Sequence, residues 1–246
     1  MARIVDGLED YIQYRKLFLC DNRISMTGAL LISNSLRHNK TLIELSLGNN
    51  LIGDEGACII ASSLKENNTL EILNLENNGI GNRGVKAIVE LGLMQNKMIQ
   101  YLVLSENPIT EIGAKSLLHC IKDTSSLKNL YLCNHTLLSI ILKKVPVVDR
   151  RILRDIKSYL KVNRANNSPS ELSAAKCKIL LCIKENPQSL IEYMVRIRED
   201  NPDLELSLVP WILSLLCKHH DLATVNTILQ QNSSCLFLRE NSKEVE

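Results

Sequence analysis

Gly79, Gly81 and Gly84 carry the G-x-G-x-x-G spacing, which in a strand-turn-helix setting lets backbone amides approach a pyrophosphate. The flanking residues fit that setting, with a short alternating apolar run before the glycines and helical apolar spacing after them. Two neighbouring turns argue against a nucleotide site. Leu51-x-Gly53-x-x-Gly56 and Pro108-x-Thr110-x-x-Gly113 occupy equivalent positions, so this turn accepts leucine and proline where a pyrophosphate turn needs its first glycine. Cys217 and His220 are three apart and share a helix face, which offers two corners of a metal site. No second ligand pair accompanies them, and Cys177 and Cys182 lie about 140° apart around a helix. The chain has no nucleophile elbow, no phosphate loop ending in Gly-Lys-Ser/Thr and no His-Glu-x-x-His. We therefore expect no catalytic residues, no cofactor and no metal, and a binding protein instead of an enzyme.

The elements behind these turns repeat. The pattern apolar-x-x-apolar-x-apolar-x-x-Asn-x-Ile begins at Tyr14, Leu42, Leu70 and Ile99, placing asparagine at Asn22, Asn50, Asn78 and Asn107. A fifth copy is read as Leu127, Leu130, Leu132, His135 and Leu137, with histidine replacing asparagine at the end of the row. Each copy opens with a short alternating run, which predicts a strand. A second half follows, Gly-Ala-x-x-apolar-Ala-x-x-Leu, clearest from Gly56 to Leu64, whose three-four spacing predicts a helix. One strand and one helix cannot bury their apolar sides alone, so the units must stack. The inward asparagines can satisfy backbone groups where the chain leaves each strand. Period and residue types resemble the leucine-rich repeat of the ribonuclease-inhibitor type. The resemblance implies an α/β solenoid with parallel strands on the concave face and helices on the convex face.

Composition agrees with a globular protein that needs no covalent staple. The chain has 246 residues, is 45% hydrophobic and 23% charged, and carries a net charge of +2. No apolar run is long enough for a membrane span, and the first residues do not read as a signal peptide. The eight cysteines are scattered, which predicts reduced thiols in the cytoplasm; we also expect a monomer. Asn39-Lys-Thr41 and Asn67-Asn-Thr69 match glycosylation acceptors but recur at corresponding repeat positions, so we attach no modification to them.

We expect two regions: a repeat array over residues 1–137, opened by a half-repeat cap that aligns Ile4, Val5 and Leu8 with the first helix, and an all-helical capping region over 138–246. Ser168-Pro169-Ser170-Glu171 is a capping box, and Asn186-Pro187 and Asn201-Pro202 punctuate further helices. Tyr159-Leu160, Ala174-Ala175 and Leu208-x-Pro210-x-Ile212-Leu213 resemble the helical tail of leucine-rich repeat proteins from diatoms and related algae, which implies no activity.

Two surfaces are candidates for binding. Strand residues between the core positions point into the concavity, giving the columns Lys16, Glu44, Ile72, Tyr101, Asn129; Phe18, Ser46, Asn74, Val103, Tyr131; and Cys20, Gly48, Glu76, Ser105, Cys133. We take Phe18, Glu44, Ile72, Asn74, Glu76, Tyr101, Val103, Asn129 and Tyr131 as the partner-binding set. Its apolar and tyrosine members can anchor an unidentified protein partner, or else lie under the tail or stand as scattered exposed residues. The second surface is a basic stripe of Arg150, Arg154, Lys157, Lys161 and Arg164. Residues 143–164 hold eight cations against Asp149 and Asp155, a net charge of +6. A solvated helix face and an anionic partner both fit the stripe. Nucleic acid is disfavoured, because Tyr159 is the segment's one aromatic. The Ran GTPase-activating protein shares this repeat type, so regulation of a small GTPase is the alternative reading. That family's acidic tail is absent from the mixed ending Leu238–Glu246.

Overall fold

The computed structural model describes residues 14–123, 133–146 and 148–165. The chain divides into two compact units, Met1–Asp123 with Leu132–Ala175, and Thr124–Tyr131 with Lys176–Glu246; every described residue lies in the first. The half-repeat cap expected at the start and the helices expected beyond Ala165 lie outside the described residues.

Strand and helix alternate as expected: β1 (Lys16–Phe18), α1 (Met26–His38), β2 (Glu44–Ser46), α2 (Gly53–Leu64), β3 (Ile72–Asn74), α3 (Asn82–Ala87), β4 (Tyr101–Val103), α4 (Glu111–Ile121), β5 (Ser139–Ile141) and α5 (Arg150–Ala165). The strands form one parallel sheet in sequence order. Leu17, Leu45, Leu73, Leu102 and Ile140 sit opposite one another across it. Ile24, Ile52, Ile80 and Ile109, and the helix residues Ala57, Ile60, Val85, Ile88, Ala114 and Leu117, are all buried. Tyr14, expected at the first core position, is instead 54% exposed, just before β1.

Two rows of asparagine satisfy the backbone at the two ends of these short strands. In the first row, at the strand exits, Asn107 donates through Nδ2 to Leu75, Leu104 and Ser105 carbonyls, and its Oδ1 accepts from the amides of Asn78 and Ile80. Asn50 likewise reaches the carbonyls of Leu19, Leu47 and Gly48 and accepts from Ile24 N. Each side chain thus ties its own repeat to the preceding one. The second row stands before the strands. Asn39, Asn67, Asn96 and Asn134 each accept at Oδ1 from the amides two and three residues on, with Leu42, Leu70, Ile99 and Leu137 at 2.7–2.8 Å. The Nδ2 groups of Asn67, Asn96 and Asn134 reach back to carbonyls of the preceding repeat. Asn163 of α5 closes the row on Leu137 O and Asn134 O. The tripeptides that match glycosylation acceptors at Asn39 and Asn67 are members of this row, and both asparagines are buried.

The second row corrects the fifth repeat. Leucine spacing puts the fifth copy at Leu127, Leu130, Leu132, His135 and Leu137, but β4 pairs with Ser139–Ile141. Leu137 is therefore the first core residue of that repeat, not the last, and Asn134 rather than His135 carries the asparagine chemistry. Position 145 is valine, which ends the strand-exit row there. Backbone geometry gives the same register independently. Asp21, Asn49, Asn77, Glu106 and Lys144 all have positive φ, between 46° and 57°. Each of the first four donates its amide across to the following repeat, Glu106 to Lys143 O at 2.9 Å. The sheet thus continues past residue 137, where the array was expected to stop.

The one-residue irregularity between Leu70 and Ile99, a step of 29 instead of 28, also has a structural home. α3 continues as a π-helical turn over Ile88–Leu93, with Met94 N bonded to Val89 O at 3.0 Å. A π turn absorbs one extra residue without unwinding the helix, so neither asparagine row is displaced.

The rows differ in how fully each member is bonded, and that sets an expected order of stability. Asn78 donates to Leu47 O and Glu76 O, but its buried Oδ1 has no partner. Helix α2 begins at Gly53 in a left-handed conformation, φ 64°, one position earlier than its counterparts. Asn107→Leu is expected to cost about 2–4 kcal/mol and Asn78→Leu about 1–2 kcal/mol in urea denaturation. A larger loss at Asn78 contradicts the assignment of these bonds.

Candidate binding face of the repeat array

The register of the sheet fixes two columns on the concave side. The first runs Lys16, Glu44, Ile72, Tyr101, Ser139, and the second Phe18, Ser46, Asn74, Val103, Ile141. The first four members of each are as expected from the sequence. Asn129 and Tyr131 do not hold the fifth places; both lie outside the described residues, and Ser139 and Ile141 stand opposite Tyr101 and Val103. Cys133, placed by sequence in the third column, is buried, and the amide of Asp123 donates to its Sγ. Lys143 holds that fifth position, its amide bonded to Ser105 Oγ. The missed residues had a sequence signal: Asn134-x-Thr136-Leu137 repeats Asn39-x-Thr41-Leu42 and Asn67-x-Thr69-Leu70.

Polar and apolar parts of the face behave differently. Toward the first repeats the side chains satisfy one another: Lys16 pairs with Glu44 at 2.9 Å, and Ser46 Oγ joins Cys20 Sγ at 3.0 Å to Asn74 Nδ2 at 3.1 Å. Asn74 Oδ1 also takes the amide of Glu76. Toward the later repeats Ile72, Val103 and Ile141 are half-buried and Tyr101 is 40% exposed. Phe18, at the opposite edge, is 62% exposed. The core sits behind the strands, so the fold does not require these apolar side chains where they are. Beside the face, Lys144 Nζ donates to Glu106 Oε1 at 2.7 Å, and that hydrogen bond raises the lysine's pKa above its ordinary value.

The glycine turn is occupied by the protein itself. Asp54 Oδ1 accepts from Gly81 N at 2.6 Å and Gly84 N at 2.9 Å, the amides that a pyrophosphate would need. One repeat on, Asn82 Oδ1 accepts from Thr110 N and Gly113 N. A side chain of one helix thus caps the start of the next, the role that an N-cap residue normally plays within its own helix. Glycine is required for this approach. A Cβ on Gly84 would lie 2.6 Å from Asp54 Oδ1 and 2.7 Å from Ile80 Cγ2, and one on Gly113 would lie 2.8 Å from both Asn82 Oδ1 and Ile109 Cγ2. Cys217 and His220 lie outside the described residues.

Helix α5 presents the basic stripe. Ile152, Ile156, Tyr159 and Leu160 are buried, while Arg150, Arg154, Lys157, Lys161 and Arg164 are all exposed. Lys122 Nζ lies 4.7 Å from the centre of the Tyr159 ring, so the one aromatic of the segment is committed to packing. No helix among the described residues is long and apolar enough to cross a membrane.

Residues 38–57, 66–89 and 95–118 match the family model described as leucine-rich repeat. The array is built of leucine-rich repeats. Each match begins one residue before an asparagine of the second row and runs through the next strand into the helix that follows. No curated protein matches the chain in sequence. Among solved structures, the chain is similar to leiomodin-1 actin-binding site 2, with a TM-score of 0.51 and 22% identity over 67% of this chain and 89% of that one. It is also similar to the tropomodulin C-terminal domain of Caenorhabditis elegans, with a TM-score of 0.53 and 15% identity over 67% of this chain and 93% of that one. At these identities the likeness establishes the leucine-rich repeat fold.

Inter-repeat capping can be measured at one side chain. Asp54→Ala is expected to destabilise the array by about 1–2 kcal/mol, and by more than the control substitution that follows, because two helix-start amides lose their acceptor. Arg83→Ala, which removes an exposed 3.1 Å pair with Glu55, should cost no more than about 1 kcal/mol. Equal losses in denaturant titration would remove the capping role from Asp54.

Proposed function

We propose that this chain is a non-enzymatic interaction module, a monomer acting in the cytoplasm, that docks a protein partner on the concave face of its repeats. The observation behind the reading is the apolar group Ile72, Tyr101, Val103 and Ile141 on adjacent parallel strands, in a part of the surface where the core does not need it. Tyrosine and branched apolar side chains give contact area for little lost entropy, which suits them to anchor a partner. Glu44, Asn74 and Glu76 would form the polar remainder of the contact, with Phe18 an apolar side chain at its far edge. Neighbouring strands are about 4.8 Å apart, so the five strands offer a face about 20 Å wide. That width suits a helix or loop of the partner. One similar structure carries actin binding in its name; at 22% identity the fold is shared, and the partner here is left to experiment. Neither the structure nor the comparisons favour the GTPase-regulator reading.

The test is capture of partners from lysate of the source cells by the full chain and by a concave-face variant. Tyr101→Asp with Ile141→Ser is expected to abolish capture, because a charge introduced at a buried contact is costly. The melting temperature should stay within about 4 °C of the parent. Unchanged capture by the folded variant would move the docking site away from these residues.

A further inference from the structure

We propose that the cations of α5 form a second docking surface, separate from the concave face, which takes an acidic helix of a protein partner. Arg150, Arg154, Lys157, Lys161 and Arg164 follow one another at spacings of four, three, four and three. At 100° per residue, all five fall within an arc of about 80°, and they extend about 21 Å along the axis. The result is a narrow straight ridge. Asp155, the one carboxylate within α5, falls outside that arc. Among the described residues none of the five takes part in an ion pair; Arg164 donates through Nε to Leu138 O at 2.6 Å. The helix is held by its opposite side, where Ile152, Ile156, Tyr159 and Leu160 are buried, and by the Arg164 bond, so Arg150, Arg154, Lys157 and Lys161 are the part of the ridge available to a partner.

The shape of the ridge selects among anionic partners. A second helix with carboxylates at the same four-three spacing presents a matching straight row, and such alignment of opposite charge gives specificity and a fast encounter. Arg150 and Arg154 can each take a carboxylate through two parallel hydrogen bonds. A lipid surface fits less well, since helices that adhere to bilayers present an apolar flank, and the apolar side of α5 is already buried. Nucleic acid fits less well too. Tyr159, which might have stacked on a base, is fully buried.

The experiment titrates the full chain, followed by fluorescence anisotropy, with four probes: a helical peptide with glutamates at four-three spacing, a peptide of the same composition with its glutamates scattered around the helix, phosphatidylserine vesicles and duplex DNA. The patterned peptide is expected to bind at least about tenfold tighter than the scattered one, and to weaken steeply with added salt. The triple reversal Arg154→Glu, Lys157→Glu, Lys161→Glu should lose the glutamate peptide by about tenfold or more and gain a lysine peptide of the same pattern. If that variant loses its helical circular dichroism, Arg154→Gln with Lys161→Gln replaces it and must show the same direction of loss. Equal binding of the two glutamate peptides, tighter binding of vesicles or DNA, or retention of the glutamate peptide by a folded variant would overturn the proposal.

Discussion

Three-residue strands cannot hold a sheet together by themselves, and the interaction on which the rest of this structure depends is the buried amide that bonds two repeats at once. A strand of this length contributes only a few ladder bonds, and the chain then turns away with its backbone groups still unpaired in the interior. Leaving such groups unpaired costs about as much as each bond could contribute. Asn50 and Asn107 at the strand exits, and Asn67, Asn96 and Asn134 before the strands, remove that cost by bonding both their own repeat and the one before. Stacking distance and register are consequently set by two polar rows, with the leucines between them supplying the burial. The apolar side chains of the concave columns, Ile72, Tyr101, Val103 and Ile141, take no part in that work.

The same constraint determines where the repeat can vary. The extra residue of the third unit is taken up in the π turn of Ile88–Leu93, between the rows and not within either. The larger change, a step of 38 residues from Ile99 to Leu137, falls between α4 and Asn134, after one row member and before the next. Beyond β5 the first row stops at Val145, yet the second persists to Asn163 on α5. The basic helix is thereby fastened to the array through the same chemistry, and its outer face is left to solvent.

Most of the fold was legible in the sequence because leucine spacing and asparagine spacing agreed through the first four units. They disagreed in the fifth. Leu127, Leu130 and Leu132 satisfy an apolar template that many segments satisfy, whereas an asparagine two residues before threonine or methionine and three before leucine or isoleucine is demanding, because its Oδ1 must accept from both following amides. Following the looser pattern put Asn129 and Tyr131 on the concave face in place of Ser139 and Ile141. The exposed face of α5 was legible from charge spacing alone, since Arg150, Arg154 and Lys161 interleave with Ile152, Ile156 and Leu160. Asp54 was not legible as the cap of a neighbouring helix, because sequence assigns a cap to the helix that follows it directly and gives no sign of a contact reaching across a whole repeat.

Residue-resolved amide hydrogen exchange on the full chain tests the central claim most directly. Leu42, Leu70, Ile99 and Leu137 donate to the asparagines of the second row, so their four amides should be protected together and to a similar degree. Rapid exchange at Leu137, with slow exchange at the other three, would contradict the fifth-repeat register and the row that extends through it.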